Sequence, residues 1–145
     1  MMRELTRLRR LLALRTTQRD LSALRLQDAL RRAAETQQQL EQADEAYQAS
    51  SQRGGLPTEL DATMLERLDL SQAAAREDRA FWSGAAQHAD QQADTAREIA
   101  LRQEKLRQHS EEKTAEARVA VQRRVQKVEQ QLLDERAGRV RRETP

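Results

Sequence analysis

Side chains that could carry out chemistry are few and scattered in this sequence. The two histidines, His88 and His109, have no candidate nucleophile near them in the sequence, and cysteine is absent. Adjacent acidic pairs such as Glu111-Glu112 and Asp134-Glu135 are ordinary where 34% of the residues are charged. The sequence also lacks a glycine-rich phosphate loop and the paired histidines of a zinc-binding helix. We therefore predict a protein that is not an enzyme, with no catalytic residue, metal site or cofactor.

Composition favours long helices over a thick globular core. Aromatic residues make up 2% of the chain, and the mean hydropathy is -0.96. The apolar residues are mainly Leu, Ala and Val, which recur at helical spacing among the good helix formers Gln, Glu and Arg. No apolar run could span a bilayer and the first residues do not resemble a secretory signal, so we expect a cytoplasmic protein that does not span a membrane.

Charge is distributed unevenly although the net charge is only +2. Residues 1–32 hold nine arginines and three acidic residues, whereas residues 33–120 hold ten basic and seventeen acidic residues. Residues 121–145 are basic again, with seven basic and four acidic residues. A helical hairpin would bring both basic segments to one end.

The basic start of the chain does not predict DNA binding. Because Arg and Leu are interleaved in residues 1–32, the pattern is unlike the separate basic region of a DNA-binding zipper, and we expect no nucleic-acid partner.

One strong break divides the helical pattern. Gly54, Gly55 and Pro57 fall within the segment 53–58, which predicts a turn between helix 1, at about 3–52, and helix 2, at about 59–142. Either Thr58 or Asp61 can cap the second helix. The isolated glycines Gly84 and Gly138 should not end it. The predicted fold is all-α: a single coiled-coil hairpin spanning 1–145, with two long antiparallel helices and a longer, overhanging second helix.

The inward-facing positions of each helix, here called the seam, are predicted from heptad spacing. In helix 1 the seam runs backward from the end in steps of three and four through Tyr47, Asp44, Leu40, Gln37, Ala33, Leu30, Leu26 and Ala23. In helix 2 it runs through Trp82, Ala86, Ala89, Ala93, Ala96 and Ala100, then the polar Gln103, Arg107, Ser110 and Thr114, and finally Val121, Val125, Val128 and Leu132. A turn centred near residue 55 would place Trp82 level with Leu30 and Ala100 level with Leu12. Residues beyond about 110 would then have no partner within the chain.

Aromatic residues could belong to the seam or to a binding surface. Tyr47 fits a position in the helix 1 seam and equally a contact residue near the turn. Phe81 and Trp82 are adjacent, so they point about 100° apart on a helix and only one can face the seam. Their placement predicts that the other aromatic ring is exposed.

Leucines crowd the first helix more densely than one partner helix can cover. Leu5, Leu8, Leu11, Leu12 and Leu14 span much of the helix circumference, and Leu21 and Leu24 follow. These leucines could pair with a second copy of the chain, with another protein whose acidic groups meet the arginines, or with a membrane surface. An exposed apolar surface beside basic side chains is therefore expected at this end.

The order of these features resembles the YscO/FliJ family, the stalk proteins of type III secretion systems. The resemblance rests on the Arg/Leu start at Arg3, Leu5, Arg7, Leu8, Leu12 and Leu14-Arg15, and on a long helix, a Gly/Pro turn and a longer second helix. Leu40 with Tyr47, Met64-Leu65-x-x-Leu68 and Leu133-Asp134-Glu135-x-Ala137 also resemble the family pattern. The first residues resemble the non-flagellar YscO branch more closely than the flagellar FliJ branch.

The resemblance implies a binding protein that acts as an extended monomer. Family members join the hexameric secretion ATPase to the export gate, and some also bind secretion chaperones. By this analogy the ATPase-binding residues are Leu5, Leu8, Arg9, Leu12, Arg15, Val125, Val128, Leu132, Arg136 and Arg139. The export-gate-binding residues are Leu40, Tyr47, Leu68 and Trp82. The alternative is a homodimeric coiled-coil scaffold or tethering protein, in which a second copy covers the surplus leucines.

Overall fold

Two long helices account for nearly all of the chain that the structure describes. The computed structural model describes residues 2–51 and 61–143, and within them α1 spans Met2–Ser51 and α2 spans Ala62–Glu143. The two helices pack against each other, which confirms the predicted all-α fold; supercoiling of the helices stays a prediction. Gly84 and Gly138 lie inside α2, as predicted. Neither helix has a segment that is both long and apolar enough to cross a bilayer in the described ranges.

The start of α2 is fixed by an aspartate cap. The backbone N–H of Met64 donates a hydrogen bond to Oδ1 of Asp61 at 2.9 Å, and the N–H of Leu65 donates to the Asp61 carbonyl oxygen at 3.2 Å. The side chain thus satisfies an amide that has no partner inside the first helical turn. Of the two predicted caps, Asp61 takes this role. The predicted turn 53–58 and the other candidate, Thr58, lie outside the described residues.

The chain is divided into two units, each built from both helices. The terminal unit comprises Met1–Leu21 and Leu101–Pro145, and the middle unit comprises Ser22–Ala100. In the terminal unit the helices are antiparallel, because Leu8 lies beside Thr114 and Arg19 lies beside Glu104. In the middle unit Asp44 lies beside Arg79.

The seam of α2 follows the predicted positions. In the middle unit Ala86, Ala89 and Ala93 are buried, and in the terminal unit Ser110 and Thr114 are buried. Trp82 is half-buried while its neighbour Phe81 is 64% exposed, which confirms that only one of the two rings faces inward. A seam of small side chains lets two helix backbones approach closely, but it buries little apolar area per turn.

Half of the predicted α1 seam is wrong. Tyr47, Leu40, Ala33 and Leu26 do face α2, but the positions between them are Ala43, Thr36, Ala29 and Ser22 instead of the predicted Asp44, Gln37, Leu30 and Ala23. Ala23, Leu30 and Gln37 are exposed, and Asp44 lies at the seam edge. The observed choice places small side chains opposite the alanines of α2. It also avoids desolvating a carboxylate and an amide that would have no partner in an apolar seam.

The predicted register is also wrong, by about ten residues. A turn centred near residue 55 would put Leu8 level with residue 104, whereas Leu8 lies beside Thr114. In the middle unit, the Asp44–Arg79 contact puts Trp82 near the level of Leu40 instead of Leu30. The cause lies at the start of α2, where residues 62–71 are all exposed except Leu68. These residues extend past the level of Ser51, so the end of α1 and the start of α2 do not lie at the same level. The part of α2 that has no partner in α1 therefore begins later than residue 110.

Candidate protein-interaction surface

The last part of α2 has no helical partner within the terminal unit. Met2, the first residue of α1, lies six residues before Leu8, which sets it near the level of Val121. Every described residue from 122 to 143, here called the α2 extension, is exposed. Its 22 residues correspond to about 33 Å of helix. The predicted overhang is therefore present, although it begins about ten residues later than expected.

An apolar stripe runs along the α2 extension. Val125, Val128 and Leu132 continue the spacing of the seam beyond Val121, and their exposed fractions are 50%, 54% and 56%. Residues spaced three and four apart lie on one face of a helix. The stripe therefore continues the face that α1 covers nearer the middle of the helix. Exposed apolar residues that line up on one face are typical of an interaction surface.

A second group of apolar residues is exposed on α1 of the terminal unit. Leu5 is buried against α2, and Leu8 and Leu12 are half-buried, whereas Leu14 is 53% exposed and Leu21 is 47% exposed. Leu11 is 39% exposed. The prediction that one helix cannot cover all the leucines is confirmed. The predicted site residues missed Leu14 and Leu21, although the crowding of leucines in the sequence was the signal that could have identified them.

Basic side chains accompany both apolar groups. Arg3, Arg7, Arg9 and Arg10 make no ion pair with any residue in the ranges 2–51 and 61–143. On the α2 extension, Arg136 and Arg139 likewise have no ion pair within the described part of the chain. Residues 122–143 contain seven basic and four acidic residues. The surface therefore suits a partner with acidic groups around an apolar contact.

A polar network on α2 reaches α1 through one ion pair in the terminal unit. Arg107 donates hydrogen bonds to Glu104 at 2.8 Å and to Glu111 at 2.7 Å, and Arg19 lies 3.7 Å from Glu104. The hydrogen bonds from Arg107 hold the pKa of the Glu104 carboxyl below its ordinary value, although partial desolvation acts in the opposite direction. The same bonds raise the pKa of Arg107. Both Arg107 pairs lie within α2, whereas the Arg19–Glu104 pair joins the two helices and contributes little energy because each side chain is about one-third exposed.

One buried polar atom in this seam has no hydrogen bond. Oε1 of Gln103 is buried and has no hydrogen-bond partner among the described residues. By contrast, Oγ1 of the buried Thr114 donates to the carbonyl oxygen of Ser110 at 2.7 Å. An unsatisfied buried carbonyl oxygen destabilises the folded state by about 1–3 kcal/mol. The polar part of the terminal-unit seam therefore contains a destabilising group at Gln103.

The structure collects all of the predicted ATPase-binding residues in the terminal unit, but in different environments. Leu5, Leu8 and Leu12 pack in the seam, and Arg15 is half-buried with its guanidinium 3.5 Å from Oε1 of Gln18. Arg9 is exposed on α1. The α2 members are exposed as well, namely Val125, Val128, Leu132, Arg136 and Arg139. The exposed members are available to a partner, whereas the three leucines stabilise the packing of α1 on α2.

All of the predicted export-gate-binding residues lie in the middle unit. Leu40, Tyr47, Leu68 and Trp82 are each half-buried. The guanidinium of Arg79 lies 4.9 Å from the centre of the Tyr47 ring and 3.1 Å from Oδ1 of Asp44. Phe81 meets Trp82 edge to face, with ring centres 5.1 Å apart. Tyr47 thus belongs to the packing between the helices, and Phe81 is the most exposed aromatic ring of the region.

Among the described residues, no group of three or more His, Cys, Asp or Glu side chains could hold a metal ion. Comparisons with protein-family models, with curated proteins and with solved structures found no match.

Proposed function

We propose that this chain is the central stalk protein of a type III secretion system and binds the hexameric secretion ATPase through its terminal unit. The observation that carries the proposal is the α2 extension, whose apolar stripe has no partner in the terminal unit. The exposed Leu14 and Leu21 and the unpaired arginines at the start of α1 support the same conclusion. Together with the resemblance to the YscO/FliJ family, these features favour a binding protein over an enzyme.

The proposed mechanism is differential binding. A single chain cannot make the same contacts with six identical subunits at once, so its contacts favour the subunits whose conformation fits best. Such a preference changes the populations of the nucleotide states, and hydrolysis can then proceed around the ring. We further propose that the middle unit contacts the export gate through Leu68 and Trp82, with Leu40 and Tyr47 supporting that surface from the seam.

The test measures ATP hydrolysis by a type III secretion ATPase from the same organism. The full chain should increase the rate, and Leu14→Asp and Val128→Asp should each abolish most of the increase, because a charge is placed in an apolar contact. Both side chains are about half exposed, so folding should survive. The matched control is Leu70→Asp, which changes a leucine that is 71% exposed in the middle unit. The control should stimulate hydrolysis as the unsubstituted chain does.

Light scattering on the same samples distinguishes the stalk from the scaffold. A stalk should be a monomer at micromolar concentration, with and without the substitutions. A stable dimer that Val128→Asp dissociates, combined with no effect on the ATPase, would overturn the proposal. That result would favour the homodimeric scaffold.

A further inference from the structure

A groove lies between α1 and α2 in the middle unit, away from the residues assigned above. Its volume is about 570 Å³, and it is open to solvent. Ala29 and Ala96 lie at its base on the two helices, and Ile99, which is 42% exposed, adds a larger apolar side chain. Small residues at the base leave room for a side chain from another molecule. The groove therefore offers an apolar contact surface that is flanked by α1 on one side and α2 on the other.

The α1 wall of this groove carries unpaired positive charge. Arg25 and Arg32 are seven residues apart, so they lie on the same side of α1, about 10.5 Å apart along its axis. Neither guanidinium makes an ion pair with any residue in the described ranges. The acidic residue of this wall, Asp28, is paired instead with Arg31 at 3.2 Å.

The α2 wall supplies no carboxylate that could pair with these arginines. Its lining residues are polar or aromatic and carry no carboxylate: His88, Gln91, Gln92 and Thr95. The two guanidinium groups are thus left to solvent at the edge of an apolar groove. An occupant that supplies two carboxylates at matching spacing would satisfy both while covering the apolar base.

We propose that this groove binds an acidic amphipathic helix from another protein. A helix can present two carboxylates seven residues apart on one face, which matches the spacing of Arg25 and Arg32. Apolar residues three and four positions after the first carboxylate would then face Ala29, Ala96 and Ile99. A nucleic acid would satisfy the arginines but would not use the apolar base. This inference concerns the middle unit and does not depend on the ATPase-binding proposal.

The test uses a synthetic helical peptide of about 21 residues as the probe. The peptide carries two glutamates seven residues apart and leucines three and four residues after the first glutamate. A fluorescent label is attached at one end. Fluorescence anisotropy should show saturable binding to the full chain. A peptide with lysine in place of both glutamates should bind at least about tenfold more weakly, because each arginine then faces a like charge.

Charge reversal in the protein provides the reciprocal measurement. The double variant Arg25→Glu/Arg32→Glu should bind the glutamate peptide about tenfold more weakly and should regain affinity for the lysine peptide. Arg76→Glu is the matched control, since Arg76 is an exposed arginine of the middle unit outside the groove. This control should leave both affinities unchanged. Circular dichroism should show the same helix content in all variants.

Three results would overturn the proposal. The first is the absence of saturable binding at millimolar peptide concentration. The second is equal binding of the two peptides, or binding that the double reversal leaves unchanged. The third is a dimer of the full chain that the double reversal dissociates, which would make a second copy of the chain the occupant of the groove.

Discussion

Replacing Gln103 with methionine should stabilise the protein. Gln103 lies in the seam of the terminal unit, and its buried Oε1 has no hydrogen-bond partner among the described residues. Methionine has a similar length and flexibility and carries no amide. The substitution therefore removes an unsatisfied carbonyl oxygen without leaving a cavity. Both residues are good helix formers, so helix propensity changes little.

The size of this effect follows from the cost of the unsatisfied oxygen. Burial of a carbonyl oxygen without a partner costs about 1–3 kcal/mol, and methionine would recover most of that free energy. For a chain of this length, each kcal/mol raises the thermal midpoint by roughly 3–4 °C. We therefore expect Gln103→Met to raise the midpoint of thermal unfolding by roughly 3–10 °C.

The measurement is thermal and urea unfolding followed by circular dichroism at a helix wavelength. Gln122→Met is the control, because Gln122 is exposed at the start of the α2 extension and the same change should have little effect there. A midpoint that falls, or that stays the same in both variants, would refute the reasoning. Either outcome would mean that Oε1 of Gln103 is hydrated in solution or that its amide stabilises the seam.

Three further predictions concern the helices themselves. Gly84→Ala should raise the free energy of unfolding by about 0.5–1 kcal/mol in urea titrations, because alanine favours the helix more than glycine does and its Cβ would meet nothing within 4 Å. An unchanged urea midpoint would contradict this prediction. A stop codon after Val121 should change the thermal midpoint by no more than about 2 °C, since the α2 extension buries nothing, and a larger loss would show that the extension packs in solution. The folded-state pKa of Glu104 lies below its ordinary value of 4.5, so its contribution to stability is complete above that pH and is lost as the pH falls through the folded-state pKa. The gap in thermal midpoint between the unsubstituted chain and Glu104→Gln should therefore be largest near neutral pH and shrink in acid, and a gap that is constant with pH would refute the assignment.

Much of the helical architecture could be predicted because it depends on local properties of the sequence. Helix-forming composition and one Gly/Pro segment predicted two helices, and the observed ends at Ser51 and Ala62 lie within a few residues of the expected ones. The α2 seam was predictable because its alanines repeat at steps of three and four along one face from Ala86 to Ala100. Helix geometry also predicted that only one of the adjacent rings of Phe81 and Trp82 would face inward.

The α1 seam could not be predicted fully because two heptad phases fit the same sequence. Starting from Tyr47, steps of three then four pass through Asp44 and Leu30, whereas steps of four then three pass through Ala43 and Ala29. Only the packed pair decides between them, because the alanines of α2 favour small residues opposite. As a result Leu30 is exposed and Ala29 lies at the base of the middle-unit groove.

The sequence by itself determined the helices, the predicted break between them and the excess of leucine and arginine near both ends. Only the tertiary structure decided the register, since matching of side chains over many turns outweighs the position of the turn. That register determines that α1 covers Thr114 while Val125, Val128 and Leu132 remain exposed. The face of α1 that packs on α2 buries Leu5 and leaves Leu14 on the surface, although both are leucines of the same helix. The candidate surface therefore depends on how far α2 extends past α1 and on which face of α1 packs, and both are properties of the packed pair.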